Sequence, residues 1–106
     1  MRRGDLMGEL EFEDLIIEWD DAKNEINFKK HKIYFEDAAY VFLDDDRIDY
    51  FDELHSDDEE RWKVIGKVKN ILTVIYTKRS ERLRIISARK ADKKEVDEYY
   101  GQYTYL

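Results

Sequence analysis

Apolar and polar residues alternate along this chain with two different periods, and the switches between them outline its elements. Leu15-Ile16-Ile17-Glu18-Trp19 is a short apolar run ending at Asp20-Asp21. Either aspartate can accept hydrogen bonds from the first free amides of a helix, so the run predicts a strand leading into a helix over about 22–30. In that helix Ala22, Ile26 and Phe28 are the sparse apolar positions; they predict a narrow buried stripe, with Lys23, Lys29 and Lys30 in solvent. Phe35, Ala38, Ala39, Phe42 and Leu43 recur at i, i+3, i+4, i+7 and i+8, the period of a second helix with one buried face.

The period then shortens to two. Arg47 to Asp52 reads as an edge strand within an acidic stretch, and Leu54 to Asp58 as a turn. Trp62, Val64, Gly66 and Val68 alternate with Lys63, Ile65, Lys67 and Lys69, which predicts a strand with one wet face. Lys69-Asn70 suits a tight hairpin. Ile71 to Tyr76 is apolar or β-branched throughout, as in a central strand buried on both faces, and Arg79-Ser80-Glu81 is a polar turn before a strand over Arg82 to Arg89. Ala91 to Tyr100 is a last helical pattern, capped by Asp92, with Val96, Tyr99 and Tyr100 inward. The expected fold is α+β: a small antiparallel sheet of three to four strands packed with two N-terminal helices and one C-terminal helix, in a single domain over 1–106.

Charge adds a functional direction. Residues 61–94 hold 12 Lys or Arg against Glu81 and Asp92, a balance of +10 in a chain of net charge -7. Residues 1–60 carry -14 and residues 95–106 carry -3, so the two signs are sorted along the sequence. A basic segment that alternates like a sheet is a candidate polyanion-binding face, and nucleic acid is the common polyanion for a small domain. The chain has no Cys for a disulfide or thiolate site, and His31 and His55 cannot close a metal site without carboxylates. The start of the chain is too short and polar for a signal sequence, and no apolar run approaches the ~20 residues of a membrane span, so a cytoplasmic location is expected.

No phosphate loop, nucleophile elbow or zinc motif is present. Instead, separated motifs recur together: Trp19-Asp20 with Lys23, Asn27 with Lys30-His31, Phe35 through Ala38-Ala39 to Phe42, Glu60-Arg61 opening a strand that reaches Gly66, and Arg84-Ile85-Ile86-Ser87-Ala88-Arg89. With these, residues 18–99 resemble the BrnT family of bacterial ribonuclease toxins, and residues 1–14 form an extension outside the resemblance. The resemblance implies a RelE-like fold, metal-independent cleavage of bacterial RNA that inhibits translation, and no cofactor. It also implies a BrnA-like antitoxin partner with a ribbon-helix-helix DNA-binding domain, operator DNA being reached only through that partner, and no membrane association. The chain departs from the pattern at Lys32, where a glycine is usual, at Tyr34, and at Glu95, Asp97 and Glu98 in a helix that is often basic in relatives.

Cleavage of RNA without a metal needs a base for the ribose 2′-hydroxyl, cations for the charge on the scissile phosphate and an acid for the leaving oxygen. Arg61, Arg84 and Arg89 are the candidate phosphate-stabilising cations, since a guanidinium grips phosphate oxygens and stays charged. Each can equally pair with the acidic half of the chain. Glu60 is a candidate base, or an orienter of Arg61, or a solvated loop acid. His31 can move a proton, but a histidine at a helix C-terminus is also favoured by the helix dipole; His55 has a similar claim beside its role in a turn. Lys23, Lys63, Lys67, Arg82 and Lys90 are candidate phosphate contacts. Tyr76 and Trp62 are candidate base-stacking rings, weighed against packing in the core. Three functional readings remain at this level: an active toxin endoribonuclease, a catalytically weak or inactive member that binds RNA or the antitoxin, and a charge separation that is purely structural. Convergence of Glu60, Arg61, Arg84 and Arg89 is what separates them.

Overall fold

The chain begins and ends its sheet on the same side. In a computed structural model that describes residues 7–55 and 59–102, β1 (Met7–Phe12) and β2 (Leu15–Asp20) form an antiparallel hairpin. Helix α1 (Asp21–His31) and a short α2 (Phe35–Ala38), which tightens into a 3-10 segment over Ala39–Leu43, then cross one face of the sheet. β3 (Ile48–Phe51) lies at the far edge, and β4 (Trp62–Val68), β5 (Asn70–Arg79) and β6 (Arg82–Lys90) return as an antiparallel meander. β6 closes the sheet by pairing in parallel with β2. The order is β1-β2-β6-β5-β4-β3, six strands among the described residues, and α3 (Lys93–Gly101) packs on the face opposite α1.

Several expectations change in this fold. The sheet has six strands rather than three to four, and it is mixed rather than antiparallel. The strand with no counterpart among the expected segments, β1, lies in the stretch read as an extension. Its Gly8, Leu10 and Phe12 alternate with Glu9 and Glu11, and Leu10 and Phe12 pack against the core. The second helix is broken, α-helical for four residues and 3-10 for five, although Phe35, Ala38, Ala39, Val41 and Phe42 are all buried as a helical stripe requires. Leu43 is 51% exposed, and Tyr100, expected inward, is 46% exposed. Ser56 to Asp58, within the expected turn, and the side chain of His55 lie outside the described residues.

α1 buries polar residues, not the expected apolar stripe. Ile26 is exposed, while Asn24 and Asn27 are buried and hydrogen-bonded. The Asn27 amide donates to the carbonyls of Ile33 and Ala88 at 2.9 Å each, and its oxygen accepts from the Ala88 amide at 3.1 Å. Asn24 accepts from the Phe35 amide at 2.7 Å and donates to Glu36 at 2.6 Å. These bonds fix the helix to β6 and fix the start of α2. Asp20 caps α1 by accepting from the Lys23 amide, and Lys32 ends it with φ 61°, a left-handed stop where a lysine costs roughly 1–2 kcal/mol more than glycine.

The main core lies between the sheet and the α1–α2 layer, from Ile17 and Trp19 through Phe35 and Val41 to Val74 and Ile85. A smaller core beneath α3 joins Tyr99, Ile65 and Ile71. Gly8 belongs to the first: a Cβ there would lie 1.9 Å from the Trp19 indole nitrogen, so the ring packs flat on bare backbone. Gly8→Ala must push Trp19, 3% exposed, out of its seat. The expected outcome is a loss of about 1–3 kcal/mol in stability with a red-shifted tryptophan emission, measured by denaturant unfolding.

Candidate functional site

On the face of the sheet that carries α3 lies an open groove of about 870 Å³. Its floor is Ile75, Ile86 and Ser87, where a bulge between β5 and β6 opens the pairing at Ile75 and Tyr76. The first turns of α3 form one wall, with Asp92, Lys94, Glu95 and Glu98, and β3 with the segment after it forms the other, with Tyr50 to Leu54. Arg61, Lys63 and Arg89 complete the lining.

Alternation puts these cations here. Val64 and Ala88 point into the main core, so Lys63 and Arg89 point to the groove face from β4 and β6. Between them on β5 stands Thr73, and over all three sits the carboxylate of Glu95, 5% exposed. Arg89 donates to it through both terminal nitrogens at 2.7 and 3.0 Å, Lys63 at 3.3 Å and the Thr73 hydroxyl at 2.9 Å. Glu95 also completes a capping box: it accepts from the Asp92 amide at 2.9 Å while Asp92 accepts from the Glu95 amide. Burial alone would raise its pKa, but the bonds from Arg89, the Asp92 amide and Thr73 outweigh that and hold it at about 2. Further along α3, Tyr50 donates to Glu98, and burial followed by that carboxylate pushes the phenol up to about 12. Tyr99 donates to Asp44 at 2.6 Å; against the opposing effect of burial, this bond and the Lys67 and Asp46 amides lower the Asp44 pKa.

The expected site residues separate into groups. Arg61 and Arg89 reach the groove, and Lys63 does so too. Arg84 shares the face but stands roughly 15 Å along β6 from Arg89, bound to the buried Glu18 at 2.6–2.7 Å. Arg82 pairs with Glu9 at 2.6 Å and reaches Glu18 at 3.4 Å. Glu60 is exposed, its carbonyl accepting from Thr77 at 2.7 Å, and it is not among the groove-lining residues. Lys67 sits at the other end of β4 and Lys90 at the end of β6, both exposed and outside the groove lining. Lys23 and His31 are on α1, across the sheet from the groove. Tyr76 offers no ring face to a base: it is 4% exposed, edge-on to Phe42, and donates to Asp49 at 2.9 Å. Trp62 is half-buried, with Lys78 3.9 Å above its ring. Sequence reasoning missed Tyr50, Thr73 and the inward role of Glu95. Only the last left a local signal, the Asp92-x-x-Glu95 spacing of a capping box.

With this geometry in place, comparison with known proteins is specific. Residues 19–95 match the family profile described as ribonuclease toxin, BrnT, of type II toxin-antitoxin system. The chain belongs to the BrnT family. The 1.1 Å crystal structure of the Brucella abortus ribonuclease toxin, BrnT, is similar to it with a TM-score of 0.54 and 30% sequence identity, covering 71% of this chain and 94% of that one. No curated protein gave a match. β1 and most of β2 precede the residues that the family profile matches. Among the described residues no helix is long and apolar enough to cross a membrane.

Glu95 also makes an acid-stability prediction. A carboxyl whose pKa falls from 4.5 to about 2 on folding contributes stability that is present above pH 4.5 and lost as pH falls through 2. Glu95→Gln is therefore expected to lower stability by roughly 2–3 kcal/mol at neutral pH. The gap to the wild type should narrow between pH 4.5 and 2 in denaturant titrations at fixed pH.

Proposed function

We propose that this chain is the toxin of a type II toxin-antitoxin pair and acts as a metal-independent endoribonuclease on bacterial RNA in the cytoplasm, inhibiting translation. The observation that carries the reading is the meeting of Arg61, Lys63 and Arg89, all within the family-matched residues, on one open groove. The cleavage step bonds the ribose 2′-oxygen to phosphorus as the bond to the 5′-oxygen breaks. The 2′-hydroxyl proton passes to a carboxylate of the groove wall, since Glu60 stands outside the lining, and the leaving 5′-oxygen takes up a proton from water. Arg89 on β6 and Lys63 on β4, either side of β5, stabilise the negative charge that builds on the phosphate oxygens. Arg61 meets the adjoining phosphate. His31, across the sheet, fits the cationic end of α1 rather than this chemistry. The partner is a BrnA-like antitoxin with a ribbon-helix-helix domain, whose acidic segment covers the same groove.

A second reading, a weak or inactive member that binds RNA or the antitoxin, is favoured by the carboxylates along the groove walls and by Glu60 and Arg84 standing outside the groove, so that only Arg61 and Arg89 of the four expected residues converge. Asp52, Glu53, Asp92 and Glu98 line the space beside the cations and repel a polyanion.

Cleavage of a labelled RNA with thermal unfolding on the same preparations separates these readings. Activity is expected to survive EDTA. Arg89→Ala should lower cleavage by the folded fraction by about two orders of magnitude, and it also lowers stability because it strips the buried Glu95 of its bidentate partner. Arg84→Ala, which strips the buried Glu18 of its closest cation, should cost roughly 2–4 kcal/mol of stability and leave the folded fraction active. RNA binding by the wild type without cleavage favours the weak member.

A further inference from the structure

Glu95 is the most heavily hydrogen-bonded side chain beside the groove, and no role in RNA cleavage follows for it from its own chemistry. Held at about 2, its carboxyl is a feeble base. Buried at 5% exposure beneath α3, it is also badly placed to touch a polyanion. What it does touch are two of the four cations that line the groove, Arg89 and Lys63. Arg89 and Lys63 share one of its oxygens, at 3.0 and 3.3 Å, while the other takes the second Arg89 nitrogen and the Thr73 hydroxyl.

We propose that Glu95 is a positioning residue: it holds Arg89 and Lys63 together at the groove wall, so that both cations face one phosphate before the RNA arrives. The inference rests on reading the groove as the cleavage site, and it assigns regulation of that site's geometry to a side chain of the opposite charge. The physical reasons are two. Lys63 and Arg89 lie on strands with β5 between them, so without a shared anion their like charges separate into solvent, as long flexible side chains do. Glu95 itself cannot drift, because the capping box ties its carboxylate to the Asp92 amide and Thr73 holds it from the floor. The side chains of Arg89 and Lys63 remain 39% and 31% exposed, so donors are left for a ligand while the anchored side is fixed. Preorganised charge stabilises a transition state without reorganising at the moment of reaction, and a misplaced cation loses that advantage with little change in ground-state binding.

The test compares wild type and Glu95→Gln by single-turnover cleavage at saturating RNA, by RNA affinity, and by NMR of the Arg89 side-chain N–H groups. Glu95→Gln keeps shape and removes charge. The expected result is a fall of tenfold or more in the cleavage rate, RNA affinity unchanged or up to severalfold tighter because a negative charge is gone, and loss of the restrained Arg89 signals. Thr73→Val, which removes one anchoring bond and leaves the capping box intact, should give a smaller fall in rate and serves if Glu95→Gln does not fold. Cleavage by Glu95→Gln equal to or faster than wild type, or Arg89 signals restrained alike in both, overturns the proposal. Absence of cleavage in the wild type itself overturns the reading of the groove instead, and the Arg89 restraint still scores the positioning claim.

Discussion

One buried carboxylate organises the uncovered face of this protein. Glu95 joins the first turn of α3 to β4, β5 and β6 through Lys63, Thr73 and Arg89, and it closes the cap on its own helix. A charge this buried is tolerable only when hydrogen-bonded on all sides, and removing one partner is far more damaging than the pair is stabilising. The small core under α3, three buried residues with a few partly buried neighbours, is too slight to seat the helix by apolar contact alone. Polar ties do the rest: Glu95 at the N-terminal end, Tyr50 to Glu98 midway, and Tyr99 to Asp44 near the C-terminal end. The position of α3 therefore sets the shape of the groove.

The charge sorting along the sequence is resolved by the fold. The basic segment does not present a bare face of +10. Arg79 pairs with Glu59, Arg82 with Glu9, Arg84 with Glu18, and Arg89 and Lys63 with Glu95. Most of these pairs are half-exposed and add little stability each; their effect is to limit how much polyanion the sheet attracts. Two of the neutralising acids, Glu9 and Glu18, sit on the β1–β2 hairpin, just before the family-matched residues. In the groove, Arg89 and Lys63 keep 39% and 31% of their side-chain surface exposed despite their pairing.

How much of this was legible in the chain depends on the range of the interaction. The meander, the α3 cap at Asp92 and the stripe from Phe35 to Phe42 follow from local period and capping chemistry, and they stand as expected. β1 was legible too, through Leu10 and Phe12 alternating with glutamates, but its limits were set by a resemblance that begins later. The parallel β2–β6 pairing left no local trace, nor did the burial of Asn24 and Asn27, because the partners include groups 11 to 66 residues away. In the site, residue type identified the arginines but not their partners. Arg84 and Arg89 are alike in sequence and differ in the carboxylate that each meets, one on the hairpin beside the groove and one beneath the helix that walls it.

The site at which RNA meets this protein decides whether the groove is the cleavage site. Titration of the isotopically labelled protein with a short oligoribonucleotide made uncleavable by 2′-O-methylation, followed by NMR, reads this directly. The expected result is chemical-shift changes centred on Tyr50, Arg61, Lys63, Ser87 and Arg89, weakening as salt is raised. Shifts confined to the lysines of α1, with the groove unperturbed, would contradict it.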